Sequence, residues 1–435
     1  MRSFTGPLEA SPEWQGIRDD IAGGVFPLAL DGCADTQKCH QVFSLSGGFR
    51  KKLIITYSEA KASEFLEDYR FFDGNILKYP SKDVIFFSAD VHGNLLVKER
   101  ARVIRKLLDG QPVTVIAKAD ALLDRILPAD RIRQSLITLE PGMEMDPEEL
   151  AARLTDMGFT RNYQAEMPGE FAVRGGIIDI YNLSDESPCR IEFFDTEVDS
   201  VRSFDSVSQR SIENLKSFTV YPASEYVFSR EERDDAVKAI KKDLEKRLRL
   251  LENKELHDKR NRLASGVSEF IEGVSEAYDG TNIDSYISYF TGDTVTLLDY
   301  FSDDDSIIWI DEANRTEEAV KAVADEFAES MGNRLEGGYI LPGQADIIYP
   351  FRYIFQKLAD MNTVIMSGIY KRAGSIKEKS LRHITVRSVD SFADNFPLLK
   401  KDLFEKQKRG YRVIVAAGSA TKAERFSSEL IDMGL

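Results

Sequence analysis

The sequence predicts an α/β protein: a parallel-sheet core, a small α+β antiparallel domain inserted into it, and a further small α/β domain at the C-terminal end. Three observations carry this. Short apolar runs alternate with helix-period segments between residues 53 and 117, the pattern of a parallel sheet covered on both faces. Between residues 171 and 204 the helical period disappears, and short strands follow one another with turn residues between them. Alternation of strands and helices then returns between residues 363 and 433.

The elements follow in order. SLSGGFRKKLIITY reads as a turn, a basic step and a buried strand from Leu53 to Tyr57. Helical spacing runs from Ala60 to Tyr69, and Val84 to Phe87 reads as a strand. Leu96, Val103, Leu107 and Leu108 share one side of a helix over Leu95 to Leu108, which Gly110 stops before the strand Val113 to Ala117. A helix over Pro147 to Met157 precedes the meander EFAVR, GIIDIY, RIEFFD and VDSVRSFD, whose turns include Gly175–Gly176 and SDESP. Val237, Ile240, Leu244, Leu248 and Leu251 mark an amphipathic helix within residues 230–263. Ser306 to Ile310 reads as a strand ending in Asp311–Glu312. Strands are expected at Thr363 to Met366, Ile384 to Val386 and Arg412 to Ala416, and helices at Asp394 to Lys408 and Ala420 to Met433. The expected organisation is a first part of the core domain at 1–134, the insert at 135–222, the second part of the core domain at 223–342, and a terminal domain at 343–435.

Composition narrows the function. At roughly 100–200 residues per domain, 435 residues make two to four domains. With 43% hydrophobic and 30% charged residues the chain has a globular composition, and no stretch approaches the roughly 18 apolar residues of a membrane helix. The N-terminus lacks a basic region followed by an apolar core, so no secretory signal is read. The three cysteines are sparse and odd in number, which predicts a reducing cytoplasm and no disulfide framework. A net charge of −16 argues against a large footprint on DNA, whose binders concentrate positive charge, although a local patch such as Arg50–Lys52 could still make a contact.

Four places could carry chemistry. Ser46–Gly47–Gly48–Phe49–Arg50–Lys51 loosely resembles a phosphate loop, but no glycine lies five residues before Gly48, and Phe49 and Arg50 stand where lysine and Ser/Thr are needed. An ordinary turn is the expectation. Asp311–Glu312 ends an apolar strand, as the metal-binding carboxylates of motor ATPases do, and equally suits a helix N-terminus. Cys33, Cys39 and His40 give three clustered donors where a structural zinc needs four, so no metal is expected. His92, His257 and His383 accompany no nucleophile, and no catalytic triad is read. In the meander, strand alternation puts Ile191 and Phe193 on one face with Phe171 and Val173 on the matching one, leaving Arg174, Arg190 and Phe194 outward. Arginine beside an exposed aromatic is the composition of a protein-binding hot spot, though a solvated sheet face has the same look.

GEFAVRGGIIDIYNLSDESPCRIEFFDTEVDSVRSFD closely resembles the UvrB-homology region of the bacterial transcription-repair coupling factors. FTRNYQAEMPGEFAVRGGIIDIY is similar to the same place in UvrB, and LLDYFSDDDSIIWIDEANR looks like the UvrB stretch with a DExx box. FFSADVHGNLLVKERARVIRKLLDG with VTVIAKADALLDRILP fits the coupling factors' first domain. The resemblance spans about residues 30–320 and extends to 435 by order and length. Against UvrB, SLSGGFRKK stands where a phosphate loop belongs, and only the short link Lys78 to Lys82 stands where UvrB has its damage-probing hairpin.

The resemblance implies a UvrB-like, degenerate helicase-type core that acts as an adaptor. It implies no catalytic residue and no cofactor in this segment, with ATP and Mg²⁺ belonging to a downstream motor. Its implied partner is the excision-repair protein UvrA, with RNA polymerase and double-stranded DNA engaged by downstream domains. By position, the family's UvrA-contacting residues fall on Arg174, Arg190 and Phe194. In the family a C-terminal domain masks this surface, so constitutive UvrA binding is expected of this chain. Two other readings compete: a UvrB-like ATP-dependent helicase acting on damaged DNA, and a scaffold that only braces the motor.

Overall fold

The computed structural model describes residues 5–6, 8, 11–34, 36–82, 94–276, 283–372, 374–386, 392, 395–415, 417–432 and 434. The first part of the core runs α1 (Pro12–Ala22), β1 (Leu28–Asp31), α2 (Gln37–Leu45), β2 (Lys51–Thr56), α3 (Glu59–Tyr69), β3 (Ile76–Tyr79), α4 (Asn94–Leu108), β4 (Val113–Lys118) and α5 (Ala129–Ser135). The insert holds β5 (Ile137–Leu139), α6 (Pro147–Asp156), β6 (Thr160–Arg161), β7 (Glu170–Arg174), β8 (Ile177–Ile180), β9 (Cys189–Phe194), β10 (Glu197–Phe204), β11 (Ser211–Asn214) and β12 (Phe218–Val220). Then come α7 (Arg230–Glu252), α8 (His257–Glu276), α9 (Ile283–Phe290), β13 (Ser306–Asp311), α10 (Ala313–Gly337), α11 (Phe351–Ala359), β14 (Thr363–Ser367), β15 (Ser380–His383), α12 (Phe396–Lys408) and α13 (Ala420–Asp432).

Among the described residues, seven strands form one sheet in the order β15-β1-β14-β13-β2-β4-β3, and each neighbouring pair is parallel. Because side chains alternate across a strand, each apolar strand feeds two cores. Leu53, Ile55, Val115, Ile308 and Ile310 pack into the core on one side, while Ile54, Ile116, Ile307 and Trp309 pack into the core on the other. Burying each such side chain contributes about 1.5–3 kcal/mol, so a slip of one residue would exchange the two cores.

The insert leaves and rejoins the core through β5 and β12, which pair antiparallel and form a two-stranded stem. Its main sheet has the order β11-β10-β9-β8-β7-β6. Helix α6 starts at the Asp146 cap, whose side chain accepts from Glu148 N, with Pro147 in the first turn. Leu150 and Leu154 of that helix share a core with Phe171, Ile178, Ile191 and Val201 from the sheet. One sheet face is thereby covered. Charged side chains tie the insert to the core: Arg105 Nη1 donates to Ser184 Oγ at 2.9 Å, Tyr221 Oη to Asp109 at 2.6 Å, and Arg233 Nη2 to Asp156 at 2.7 Å. A buried charge cluster within the core includes Glu225, five residues past β12. Arg100 pairs with Asp124 at 2.8 Å and with Glu225 at 2.5 Å, and Lys82 pairs with Asp284 at 2.5 Å and with Glu225.

Several expectations need correcting. The boundary expected at 342/343 cuts through the core sheet: β14 lies between β1 and β13, and β15 pairs with β1. A fully buried strand such as Thr363–Ser367 must have neighbours on both sides, and sequence order does not say which. The strand expected at Ile384 to Val386 falls instead at Ser380–His383, and residues 411–415 form no strand. Residues 230–263 are not one helix: α7 ends at Glu252, and α8 begins at His257 after a turn in which Glu255 adopts φ 55°. The strand expected at Val84 to Phe87 lies outside the described residues. Lys78 to Lys82 is not simply a link, since Lys78 and Tyr79 end β3 and Lys82 is buried in the charge cluster.

Candidate functional site

The open face of the insert's six-stranded sheet carries the expected site residues. Two hairpins set their positions. Arg174 and Ile177 flank Gly175–Gly176, where Gly175 has φ +59°, the sign that primed two-residue turns require. A Cβ on Gly176 would lie 2.9 Å from the carbonyl oxygen of Phe193, so only glycine fits there. The second hairpin turns at Asp195–Thr196, with Asp195 at φ 58°, and places Phe194 opposite Glu197.

Across this face, register sets Ala172, Asp179, Arg190 and Arg202 in one row. Arg174, Ile177, Glu192 and Ser200 make the next row, and Phe194 lies beyond it. The residues differ sharply in exposure. Phe194 is 78% exposed, Arg174 32% by side chain and Arg190 13%, while Asp179 at 1% is buried. Arg190 grips Asp179 with both ends of its fork, Nε to Oδ1 at 2.6 Å and Nη2 to Oδ2 at 2.8 Å. Its Nη2 also donates to Gln209 Oε1 at 2.9 Å, and the guanidinium carbon lies 4.4 Å from the centre of the Phe204 ring. The Asp179 hydrogen bonds hold Arg190 above its ordinary pKa. Arg174 reaches the same carboxylate through Nη2. Beside them Arg202 pairs with Glu192, which also accepts from Ser200 Oγ at 2.9 Å. Alternation predicts the outward side of the strand correctly here, but the two arginine forks are not free. Asp179, the fifth residue of GGIIDIY, engages both from within the chain. An aspartate among apolar strand residues was the signal for it.

The carboxyl ends of the core strands hold a second constellation. Ligands of parallel sheets bind at such ends. The turn at Ser46–Arg50 follows a helix and opens a strand, so it lies at the opposite end of the sheet and cannot serve as a phosphate loop. The strand–loop–helix unit is instead β1, residues 32–36 and α2. In the frame G-x-x-x-x-G-K-[ST], Gly32 and Lys38 hold their places, while Gln37 and Cys39 replace the second glycine and the Ser/Thr. Scanning for that frame directly after the first apolar run would have found it.

Lys38 lies against Asp311 and Glu312. Its Nζ is 2.5 Å from Asp311 Oδ1 and 2.8 Å from Glu312 Oε1, where a divalent cation would bind such carboxylates. Burial lowers the Lys38 pKa, but Asp311 and Glu312 outweigh it and the net shift is upward. Burial also raises Asp311, with Lys38 opposing. Glu312 adopts φ 49°, an uncommon conformation for this residue, and accepts the Gly368 N–H at 2.9 Å. A Cβ on Gly32 would meet the Ile384 carbonyl oxygen at 2.3 Å, so backbone closes over this loop. The arrangement is a pair of strand-end carboxylates held by an internal ammonium.

The remaining candidates do not converge. Cys33 hydrogen-bonds Gln41, and burial pushes its thiol up to about 11. Cys39 faces the Phe65 carbonyl, and His40 stacks on Phe72 with ring centres 5.4 Å apart. Two residues of the basic step are engaged locally: Arg50 contacts Asp305 and Gly110, and Lys51 pairs with Asp303 at 2.5 Å. Among the described residues no group of three or more His, Cys, Asp or Glu is placed to hold a metal, and no helix is long and apolar enough to cross a membrane.

Residues 137–226 match the family model of the UvrB interaction domain, a span that begins at the first stem strand and runs six residues past the second. The chain is 30% identical over 98% of its length to a protein of Bacillus subtilis named transcription-repair-coupling factor, of which it covers 36%. It is 27% identical over 88% of its length to proteins of the same name from Staphylococcus epidermidis and Staphylococcus aureus, covering 32% of each. The chain thus spans about a third of the length of these relatives.

Proposed function

From the premise that this chain is a relative of the transcription-repair-coupling factors and carries a UvrB interaction domain, we propose that it is the UvrA-recruiting part of such a factor. In this reading it brings UvrA to lesions where RNA polymerase has stalled, and the longer protein is an ATP-dependent DNA translocase. Polymerase binding, double-stranded DNA binding and ATP hydrolysis with Mg²⁺ then belong to other parts of that protein. The observation that carries the reading is Phe194, a large apolar ring left 78% exposed at a hairpin tip inside the matched domain and flanked by a rigid arginine layer. Such a ring suits a pocket on a partner, where it would be an anchor of the interface. Titration of purified UvrA with this chain, beside Arg174→Ala and Phe194→Ala, tests it. Binding by the wild type and loss in folded variants supports recruitment, while no binding by the wild type moves the scaffold reading to first place.

The retained Gly32 and Lys38 favour a second reading, a UvrB-like ATPase acting on damaged DNA. It would require Lys38 to leave two carboxylates at 2.5 and 2.8 Å and turn toward a nucleotide.

A further inference from the structure

Arg174 and Arg190 share one buried carboxylate, but they are not equivalent. Arg190 is the more committed of the two, through Nε and Nη2 to both oxygens of Asp179, through Nη2 to Gln209 and against the Phe204 ring, with Nη1 alone lacking a hydrogen-bond partner among the described residues. Arg174 touches Asp179 through Nη2 alone, and among the described residues its Nε and Nη1 have no hydrogen-bond partner. Its side chain is also more than twice as exposed, 32% against 13%. Two arginines against one aspartate leave the trio with a single unbalanced positive charge, while the neighbouring Arg202–Glu192 pair is balanced.

We infer that docking at this face follows the net charge of the Arg174–Asp179–Arg190 trio, with Arg174 as the contact and Arg190 as a positioning residue that keeps Asp179 occupied. The occupant is one acidic side chain of the partner protein, seated beside the pocket that receives Phe194. This rests on the docking reading above. Charge complementarity argues for that occupant. A chain of net charge −16 attracts a carboxylate only where positive charge is locally unbalanced, and one free guanidinium edge matches one carboxylate. A nucleic-acid backbone would instead call for a row of such cations. Arg190 acts through Asp179. Once Arg190 is removed, both aspartate oxygens fall to Arg174, and its free edge is lost to an internal pair.

The test titrates purified UvrA with the wild type (trio charge +1), Arg190→Met (0), Asp179→Asn (+2) and the double variant (+1), at low and moderate salt. Arg190→Met should weaken binding by about tenfold or more, and the double variant should return to within about threefold of the wild type. Asp179→Asn should bind at least as tightly as the wild type at low salt and show the steeper salt dependence, because its extra charge is screened. A double variant as weak as Arg190→Met overturns the inference and makes Arg190 a direct contact. Should Arg190→Met fail to fold, the salt slope of Asp179→Asn decides alone, and an unchanged slope overturns it. If the wild type binds and Phe194→Ala weakens binding while the double variant shows no recovery, the inference falls and the docking reading stands. If the wild type does not bind, both fall.

Discussion

Single side chains on this molecule divide into those that could meet a partner and those that hold others in place. Phe194 makes no core contact that its removal would break, so Phe194→Ala should leave thermal stability within about 0.5 kcal/mol. Lys38 is the opposite case. It is buried against Asp311 and Glu312, and among the described residues Asp311 Oδ2 already lacks a hydrogen-bond partner. Lys38→Ala leaves buried carboxylates without their cation, and chemical denaturation should register a loss of about 3–5 kcal/mol. A loss below about 1 kcal/mol would show that water reaches the carboxylates. Glu225 gives the pH dependence. Burial raises its pKa, but Arg100 and Lys82 outweigh that and hold it at about 2, below its ordinary 4.5. A depressed carboxyl stabilises the fold above its unfolded value, so this contribution is lost as pH falls from 4.5 toward 2. Asp124 in the same cluster runs the other way. Burial pushes it up to about 6, so its contribution declines as pH rises from about 4 to 6. Melting curves of Glu225→Gln between pH 2 and 5 should be flatter than those of the wild type. Parallel curves would remove Glu225 from the acid response.

At the scale of elements, legibility tracked burial pattern. Strands read from apolar runs, such as Ser306–Asp311 and Val113–Lys118, lie within a residue or two of where they were expected, because a strand buried on both faces leaves a continuous apolar run. Strands β1 and β3 are four residues each and too short to stand out, and the 25-residue helix α10 hides its narrow buried side among charges. The outward positions of Arg174, Arg190 and Phe194 could be read from period-2 alternation, but the pairing of the arginines with Asp179 could not, because it depends on which strands are neighbours. The hairpins that present these residues are themselves testable. Gly176→Ala drives a Cβ to within 2.9 Å of the Phe193 carbonyl and should cost about 1–3 kcal/mol by denaturant titration. It should also weaken docking by displacing Phe194. Unchanged stability would mean the hairpin relaxes freely.

For the whole molecule, the parallel core and the insert have different work to do. At the core's strand ends Lys38 sits on the carboxylates of Asp311 and Glu312, and backbone closes over Gly32. A ligand at 100 times its dissociation constant would stabilise the protein by about 2.7 kcal/mol. Mg²⁺-ATP is expected to leave the melting temperature unchanged, and a clear rise would favour the ATPase reading. The insert joins the core through the two-stranded stem and is tied to it by the Arg105–Ser184, Tyr221–Asp109 and Arg233–Asp156 contacts, so the core serves as a mount for the face that carries Phe194. The most direct measurement is a calorimetric titration of purified UvrA with the wild type and with Phe194→Ala, each checked for an unchanged melting temperature. The account predicts that the wild type binds and that the variant loses about 2 kcal/mol or more, close to thirtyfold in affinity. Equal binding by the two proteins would contradict it.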